Sequence, residues 1–358
     1  MDAPLLPAAP FIRAVHAARA HAVLLRWSAS LLLVALTGCA AGWRGPPSDH
    51  FDGERFHSLD PGPELTRGLG AFLTWQLERE PGPWAAPREV PPGPPPPYRV
   101  ELTRMRVTFI GHATTLVQLD GVNVLTDPIY SERASPLSFL GPRRVRPPGI
   151  RFEDLPPIHA VVVSHNHYDH LDVATLRRIE RTWPQVRIFV GLGNKAFLES
   201  QGLRHVEELD WWQSRQVRGV TVTSVPSQHF SNRGLLDGGR TLWTAWVLGG
   251  RYAGKAYFGG DTAFGSHFDK TGQALGPFRL AVLPVGAYKP EWFMSPVHMG
   301  PAQAVEAATL LRARVAVPMH HGTFQLADDG ETEAIDVLRR APGVFRVLGF
   351  GEGLEVPP

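Results

Sequence analysis

A six-residue run of ligand-type side chains constrains the fold of this chain more than any other feature. Val161-Val162-Val163-Ser164 leads directly into His165-Asn166-His167-Tyr168-Asp169-His170. Because side chains alternate along a strand, His165 and His167 are expected to point the same way at a strand end. Neutral imidazole and carboxylate groups bind zinc and similar divalent ions. The run therefore predicts a metal site where a buried strand ends.

Further ligand-type residues follow three other apolar segments, and they are His229, Asp261 and His320. In open α/β sheets, binding sites gather beyond the carboxyl ends of the strands. Four strands that each end in such a residue therefore predict one shared site. Asp261 follows Gly259-Gly260, which permits close backbone approach, and its two carboxylate oxygens suit it to bridge two ions.

Short β-branched runs alternate with helical stretches from residue 104 onward, which is typical of an α/β fold. Strands are expected at 105–110, 115–119, 122–126, 160–163, 186–190, 220–225, 242–248, 256–258, 280–284 and 315–317. Helices are expected at 64–80, 173–182, 195–200, 301–312 and 331–340. Nine prolines between Pro81 and Pro97 predict an extended strap or linker.

The N-terminal segment has the pattern of an export signal. Three arginines precede an apolar run, 27–36, that is too short to cross a bilayer, and Leu36-Thr37-Gly38-Cys39 follows. This ending resembles the bacterial lipobox, which implies cleavage before Cys39 and its acylation. The protein would then be a lipoprotein of the bacterial cell envelope, held by Cys39 in the outer membrane and facing the periplasm. The alternative is an ordinary apolar leader with a lone cysteine.

These features divide the chain into four predicted parts. They are a signal peptide (1–38), a tether (39–48), an N-terminal extension with a helix and the proline-rich strap (49–103), and a catalytic domain (104–358). The 36 basic and 34 acidic residues give a net charge of +2. That balance argues against a broad basic surface for nucleic acid.

Residues 104–350 resemble the metallo-β-lactamase superfamily, and more narrowly the bacterial relatives of N-acyl-phosphatidylethanolamine phospholipase D. The phrases that carry the resemblance are Val107-Thr108-Phe109-Ile110-Gly111-His112-Ala113-Thr114, Leu125-Thr126-Asp127-Pro128, Ser164 to Asp172, and His320 with Gly322-Thr323-Phe324. The resemblance implies a four-layer αββα sandwich with two divalent metal ions, and zinc is the expected metal.

The resemblance also assigns roles to individual residues. His165, His167 and His229 would hold one metal, while Asp169, His170 and His320 would hold the other. Asp261 would bridge the two ions. Catalysis falls to Asp169, Asp261 and His298, the last as a hydrogen-bond partner or proton donor for a substrate oxygen. His112 and Asp127 would contact and orient the ligands.

The implied activity is phosphodiester hydrolysis of a lipid-like substrate by a hydroxide that bridges the two metals. The substrate would be N-acyl-phosphatidylethanolamine, which is split into phosphatidic acid and N-acylethanolamine. One alternative is another hydrolase on the same scaffold, such as a lactonase, thioesterase or different phosphodiesterase. The other alternative is a non-catalytic lipoprotein that binds metal.

Overall fold

The architecture consists of two β-sheets with helices on their outer faces. A computed structural model describes residues 42–60, 68–234, 236–340 and 343–358. The strands are β1 (Met105–Gly111), β2 (Thr114–Leu119), β3 (Val122–Thr126), β4 (Ala160–Val162), β5 (Arg187–Gly191), β6 (Val206–Leu209), β7 (Ser214–Val217), β8 (Val220–Val225), β9 (Ala245–Gly249), β10 (Lys255–Phe258), β11 (Phe278–Pro284), β12 (Ala313–Met319) and β13 (Gly353–Val356). The helices are α1 (Leu69–Leu77), α2 (Val173–Thr182), α3 (Lys195–Ser200), α4 (His267–Leu275), α5 (Glu291–Met294), α6 (Pro301–Leu310) and α7 (Glu333–Arg340).

Strand direction differs between the two halves of each sheet. The first sheet has the order β13-β1-β2-β3-β4-β5-β6, and its strands β3 to β6 are parallel. The second has the order β12-β11-β10-β9-β8-β7, with β10, β11 and β12 parallel. Strand β9 is antiparallel to both of its neighbours, β8 and β10. Strands β8, β10 and β12 therefore end at the same edge of the second sheet.

Apolar side chains fill three layers of core. Val107, Val117 and Val162 of the first sheet meet Val222 and Trp246 of the second in the layer between the sheets. Helices α2 and α3 cover the outer face of the first sheet, and α4, α6 and α7 cover that of the second. The predicted four-layer αββα sandwich is confirmed.

Most of the predicted elements are present, and the errors have physical causes. The strand expected at 242–248 begins only at Ala245, because the backbone N–H of Leu242 donates to Leu192 and that of Thr244 donates to Ser164, both outside the second sheet. Strands β6, β7 and β13 and helices α4 and α5 were missed. Strand β7, for example, is an edge strand in which only Val217 is buried, so it lacks an apolar alternation.

The N-terminal part that is described lies against the main sandwich. Residues 81–97 form no helix or strand, and their backbone N–H groups bond across to it: Gly82 to Asp328 O (2.7 Å), Arg88 to Val145 O (2.9 Å). The predicted division into four parts stays a prediction, and Cys39 lies outside the described residues. Within the described ranges, no helix combines the length and apolar character needed to cross a membrane.

Candidate metal centre

The predicted ligands meet where the two sheets come together at one edge. Strand β4 of the first sheet runs into His165, and strands β8, β10 and β12 of the second lead to His229, Asp261 and His320. Cross-sheet bonds close this edge, with the His320 N–H donating to His112 O at 2.9 Å.

The approach of the two sheets at this edge requires a glycine before Asp261. Gly260 has a φ of +57°, and a Cβ built on it would lie 2.3 Å from the Cβ of Ser164. Any side chain at this position would therefore force the sheets apart beside the ligands.

The first group of ligand atoms comes from His165, His167 and His229. These atoms lie within 4.8 Å of one another. His165 Nε2 is 2.8 Å from His167 Nδ1, which is 3.3 Å from His229 Nε2. Three imidazole nitrogens at this spacing match the donor set and dimensions of a single divalent ion.

The second group contains Asp169, His170 and His320, and the structure adds His112 to it. Asp169 Oδ2 lies 3.2 Å from His170 Nε2 and 3.3 Å from His320 Nε2. His112 Nε2 is closer, at 2.8 Å from the same oxygen. His112 therefore contacts a predicted ligand directly.

Asp261 lies between the two groups. Its Oδ2 atom is 3.1 Å from both His170 Nε2 and His320 Nε2, and 3.9 Å from His229 Nε2. Its other oxygen, Oδ1, is buried and accepts no hydrogen bond from the described residues. His298 stands beside it, with Nδ1 4.0 Å from Asp261 Oδ2.

Hydrogen bonds to the far side of the ring hold three of the ligands, and one of them joins His165 Nδ1 to Ser164 Oγ at 2.9 Å. His170 Nδ1 donates to Asp127 Oδ2 at 2.6 Å, which directs Nε2 into the site. His229 Nδ1 donates in the same way to the carbonyl of Val297 at 2.8 Å. Ser164 donates to Asp127 from both its backbone N–H (2.7 Å) and its hydroxyl (2.6 Å). Such partners fix the tautomer of a ligating histidine.

Two of these partners were not predicted from the sequence. Ser164 immediately precedes His165, so its place in the motif was a usable signal. The carbonyl of Val297 offers no signal, because every residue has one. Of the two adjacent histidines His320 and His321, His320 faces Asp261, whereas the His321 ring stacks on Phe109 with centroids 5.0 Å apart.

Electrostatics divides the cluster into neutral imidazoles and charged partners. Burial lowers the pKa of His167 to about 4, and it holds those of His165 and His229 well below the usual value. Burial opposes ionisation of Asp261, yet His170 and His320 hold its pKa well below the usual range. Neutral imidazole and ionised carboxylate are the forms that coordinate metal.

The remaining two imidazoles behave differently. Despite burial, Asp261 and Asp169 hold the pKa of His170 well above its usual value, and they raise that of His320 to about 9. With these raised pKa values, His170 and His320 are protonated near neutral pH, and their positive charge compensates the two carboxylates. A divalent cation placed among the carboxylates would supply that positive charge instead, so metal binding is coupled to proton release. Five imidazoles, two carboxylates and the unpartnered Asp261 Oδ1 fit a two-metal site.

All the predicted site residues other than Cys39 thus lie in or beside one cluster. Asp127 is fully buried, as are His170 and His229, but it lies behind the cluster of ligand atoms and not among them. Burial raises the pKa of Asp127, and the bonds from His170 and Ser164 oppose that shift. His267, which the sequence gave no reason to select, is buried with Nε2 3.1 Å from the hydroxyl of Thr262.

Comparison with known proteins shows which family this chain resembles. A family model described as "Beta-lactamase superfamily domain" matches residues 122–321. A Caenorhabditis elegans protein named N-acyl-phosphatidylethanolamine-hydrolyzing phospholipase D 1 is 44% identical over 236 residues, which are 63% of this chain. The chain spans 65% of the length of that relative, just under two thirds.

Two further comparisons cover more of the chain. The Mycobacterium tuberculosis protein Rv0906, described as uncharacterized, is 39% identical over 293 residues, 80% of this chain and 77% of its own length. The solved structure of an isothiocyanate hydrolase from Delia radicum gut bacteria has a TM-score of 0.57 at 22% identity, covering 70% of this chain and 98% of that one. The structural likeness shows the fold alone.

Proposed function

This chain belongs to the metallo-β-lactamase superfamily, and we propose that it hydrolyses N-acyl-phosphatidylethanolamine to phosphatidic acid and N-acylethanolamine. The protein is a metal-dependent hydrolase. The observation that carries the proposal is the arrangement of two groups of ligand atoms around one shared carboxylate, Asp261. A phosphodiester has two non-bridging oxygens, which match a pair of adjacent cations.

We assign the residues to the two ions by their grouping in space. His165, His167 and His229 would hold one ion, Asp169, His170 and His320 the other, and Asp261 would contact both. Zinc is the proposed metal because imidazole nitrogen dominates the donor set. Two such ions, when bound, lower the pKa of a water molecule and stabilise charge on a phosphoryl oxygen.

His298 has the position of a substrate-contacting residue. Its ring lies against those of His229 and His320, with centroids 5.2 and 5.4 Å away, and 12% of its side chain is exposed. It is therefore next to the cluster on a side that a substrate can reach. Burial lowers its pKa to about 4, so the ring is neutral near pH 7 and offers one N–H. We assign it hydrogen bonding to a phosphate oxygen.

The choice of substrate is supported by the C. elegans relative, whose name specifies N-acyl-phosphatidylethanolamine. An attachment through acylated Cys39 would keep the protein at the surface where this lipid resides, so we propose the cell-envelope location as well.

The test is a substrate panel with purified, metal-analysed protein. We expect N-acylethanolamine and phosphatidic acid from N-acyl-phosphatidylethanolamine, loss of that activity after chelation, and recovery with zinc. The matched control is Asp261→Asn, which keeps the size of the side chain and removes its charge. Hydrolysis of lactone or thioester substrates with none of the phospholipid would refute the substrate assignment. Full activity in metal-free protein would refute the metal mechanism.

A further inference from the structure

A second charged pocket lies at the opposite edge of the second sheet. It has a volume of about 480 Å³ and is bordered by four basic side chains, Lys255, Arg279, Arg312 and Arg314. These residues lie at or next to the starts of the parallel strands β10, β11 and β12, whereas Asp261 and His320 follow the ends of β10 and β12.

The distance between this pocket and the metal centre follows from strand geometry. Arg314 precedes His320 by six positions, and Lys255 precedes Asp261 by six positions. At about 3.3 Å per residue, each separation is roughly 20 Å. The pocket is therefore not an extension of the metal centre.

The positive charges of the pocket have little compensation. Among the described residues, no acidic side chain borders it. From outside the pocket, Glu355 and Asp120 act on Arg279 and oppose the lowering of its pKa, while Glu355 also pairs with Arg106 at 3.3 Å and Asp120 accepts the Tyr252 N–H at 2.8 Å. Pro358 also borders the pocket.

One of the four basic side chains is fixed in place, and the other three keep N–H groups that are free to donate to a ligand. Arg279 donates to four backbone carbonyls, which immobilise its guanidinium, and burial together with the charge of Arg314 lowers its pKa. Lys255 and Arg312 each donate to one carbonyl, of Leu275 and Gly272, and retain further N–H groups. For Arg314, which is exposed, the described residues provide no hydrogen bond or ion pair.

We propose that this pocket binds a polyanion that carries phosphate groups, at a site separate from the metal centre. Guanidinium groups bind phosphate through paired, charge-assisted N–H bonds, and several such donors around one pocket favour a ligand with more than one negative charge. The half-exposed ring of Tyr252 adds apolar surface beside the charges. Soluble phosphate compounds and phospholipid head groups share this chemistry.

The test uses the full-length, zinc-loaded protein and methylenediphosphonate, whose P–C–P link resists hydrolysis. Calorimetry of the wild type is expected to show a site additional to the metal centre. Arg314→Gln should weaken that site at least about tenfold, since a bond to a charged group is lost. The double variant R312Q/R314Q should abolish it. The control is Arg340→Gln, which removes a positive charge from helix α7 and should leave both sites unchanged.

Two further measurements make the result decisive. All variants should keep wild-type zinc content and wild-type hydrolysis rates on detergent-solubilised substrate, because none of these residues touches the metal centre. If the double variant misfolds, the single variant Arg314→Gln still tests the proposal. Its fold should be unaffected, because the exposed Arg314 side chain has no bond within the described structure. Equal stoichiometry and affinity in wild type and R312Q/R314Q would overturn the proposal, and so would an equal loss in R340Q.

Vesicles distinguish the two sources of the phosphate group. Phosphatidylcholine vesicles with and without phosphatidylglycerol are mixed with the wild type and with R312Q/R314Q at low and high salt. Weaker, salt-sensitive binding of the double variant to the anionic vesicles would assign the site to lipid head groups. Unchanged vesicle binding, together with lost methylenediphosphonate binding, would assign it to a soluble phosphate compound.

Discussion

Replacement of Asp127 by Asn tests how the protein orients His170. Both oxygens of Asp127 accept hydrogen bonds: Oδ1 from the Ser164 N–H at 2.7 Å, and Oδ2 from the Ser164 hydroxyl and from His170 Nδ1, both at 2.6 Å. An asparagine presents an amide NH₂ in place of one oxygen. That group must face a donor whichever way the amide is turned.

Each orientation has a calculable consequence. If the NH₂ replaces Oδ1, it opposes the Ser164 N–H, and a buried unsatisfied donor costs about 1–3 kcal/mol. If it replaces Oδ2, His170 must accept through Nδ1 and carry its proton on Nε2, the atom that faces Asp169 and Asp261. That tautomer cannot bind a metal through Nε2. Loss of an orienting partner typically weakens metal affinity about 10- to 100-fold.

The assay is competition of D127N and wild type with a chelator of known zinc affinity, with bound metal counted at each step. We expect one of the two ions to be lost at a 10- to 100-fold lower chelator concentration, as estimated from the loss of such a partner. Asp328→Asn is the matched control, because Asp328 is also buried and charge-paired, with Arg79 at 2.8 Å, but contacts no predicted ligand. Wild-type affinity in D127N would refute the tautomer argument. Equal losses in both variants would indicate general destabilisation instead.

Three further results are expected. Asp261→Ala should reduce bound metal and lower kcat/KM by at least about 100-fold, more than an orienting residue does, as metal analysis with steady-state kinetics would show; unchanged metal content would contradict its shared position. His298→Gln should keep more activity than His298→Ala, because the amide can still donate a hydrogen bond, and equal losses in the two would favour proton transfer instead. Glu331→Gln should cost about 1–3 kcal/mol of unfolding free energy at pH 7, because Glu331 contacts both Arg88 and Arg146. Although burial opposes it, these contacts lower the pKa of Glu331, so the effect should shrink as the pH falls through that lowered pKa; a urea-measured difference that persists in acid would exclude the ion pairs as its cause.

The sequence predicts this centre well because each ligand follows an apolar strand. Strands β4, β8, β10 and β12 are rich in β-branched or aromatic residues, and the period of a strand aims alternate side chains alike. The sequence did not predict every partner that supports the ligands from behind. The resemblance placed His112 and Asp127 beside the ligands, whereas the carbonyl of Val297 depends on a loop path that no local pattern specifies.

The edges of the sheets were the least predictable part of the fold, for a related reason. Strands β7 and β13 bury few side chains, so neither shows the alternation that marks a half-buried strand. Helix α5 is a single turn that follows Pro290 and buries only Met294. Helix α5 is placed by its packing against α1, as the stacked rings of Trp75 and Phe293 show. Burial, rather than propensity, decides such short elements.

The distribution of the ligands over the two sheets links metal binding to the stability of the whole sandwich. His165 and its motif belong to the first sheet, and His229, Asp261 and His320 to the second. Each of the two ligand groups draws on both sheets, so an ion in either place would join one sheet to the other. A side chain on Gly260 would meet Ser164 of the first sheet, so this position leaves no room for a group that could separate the sheets. The edge at which distant parts of the chain meet for catalysis is therefore also the edge that a bound metal would hold together. An ion that binds only the folded protein stabilises the folded protein.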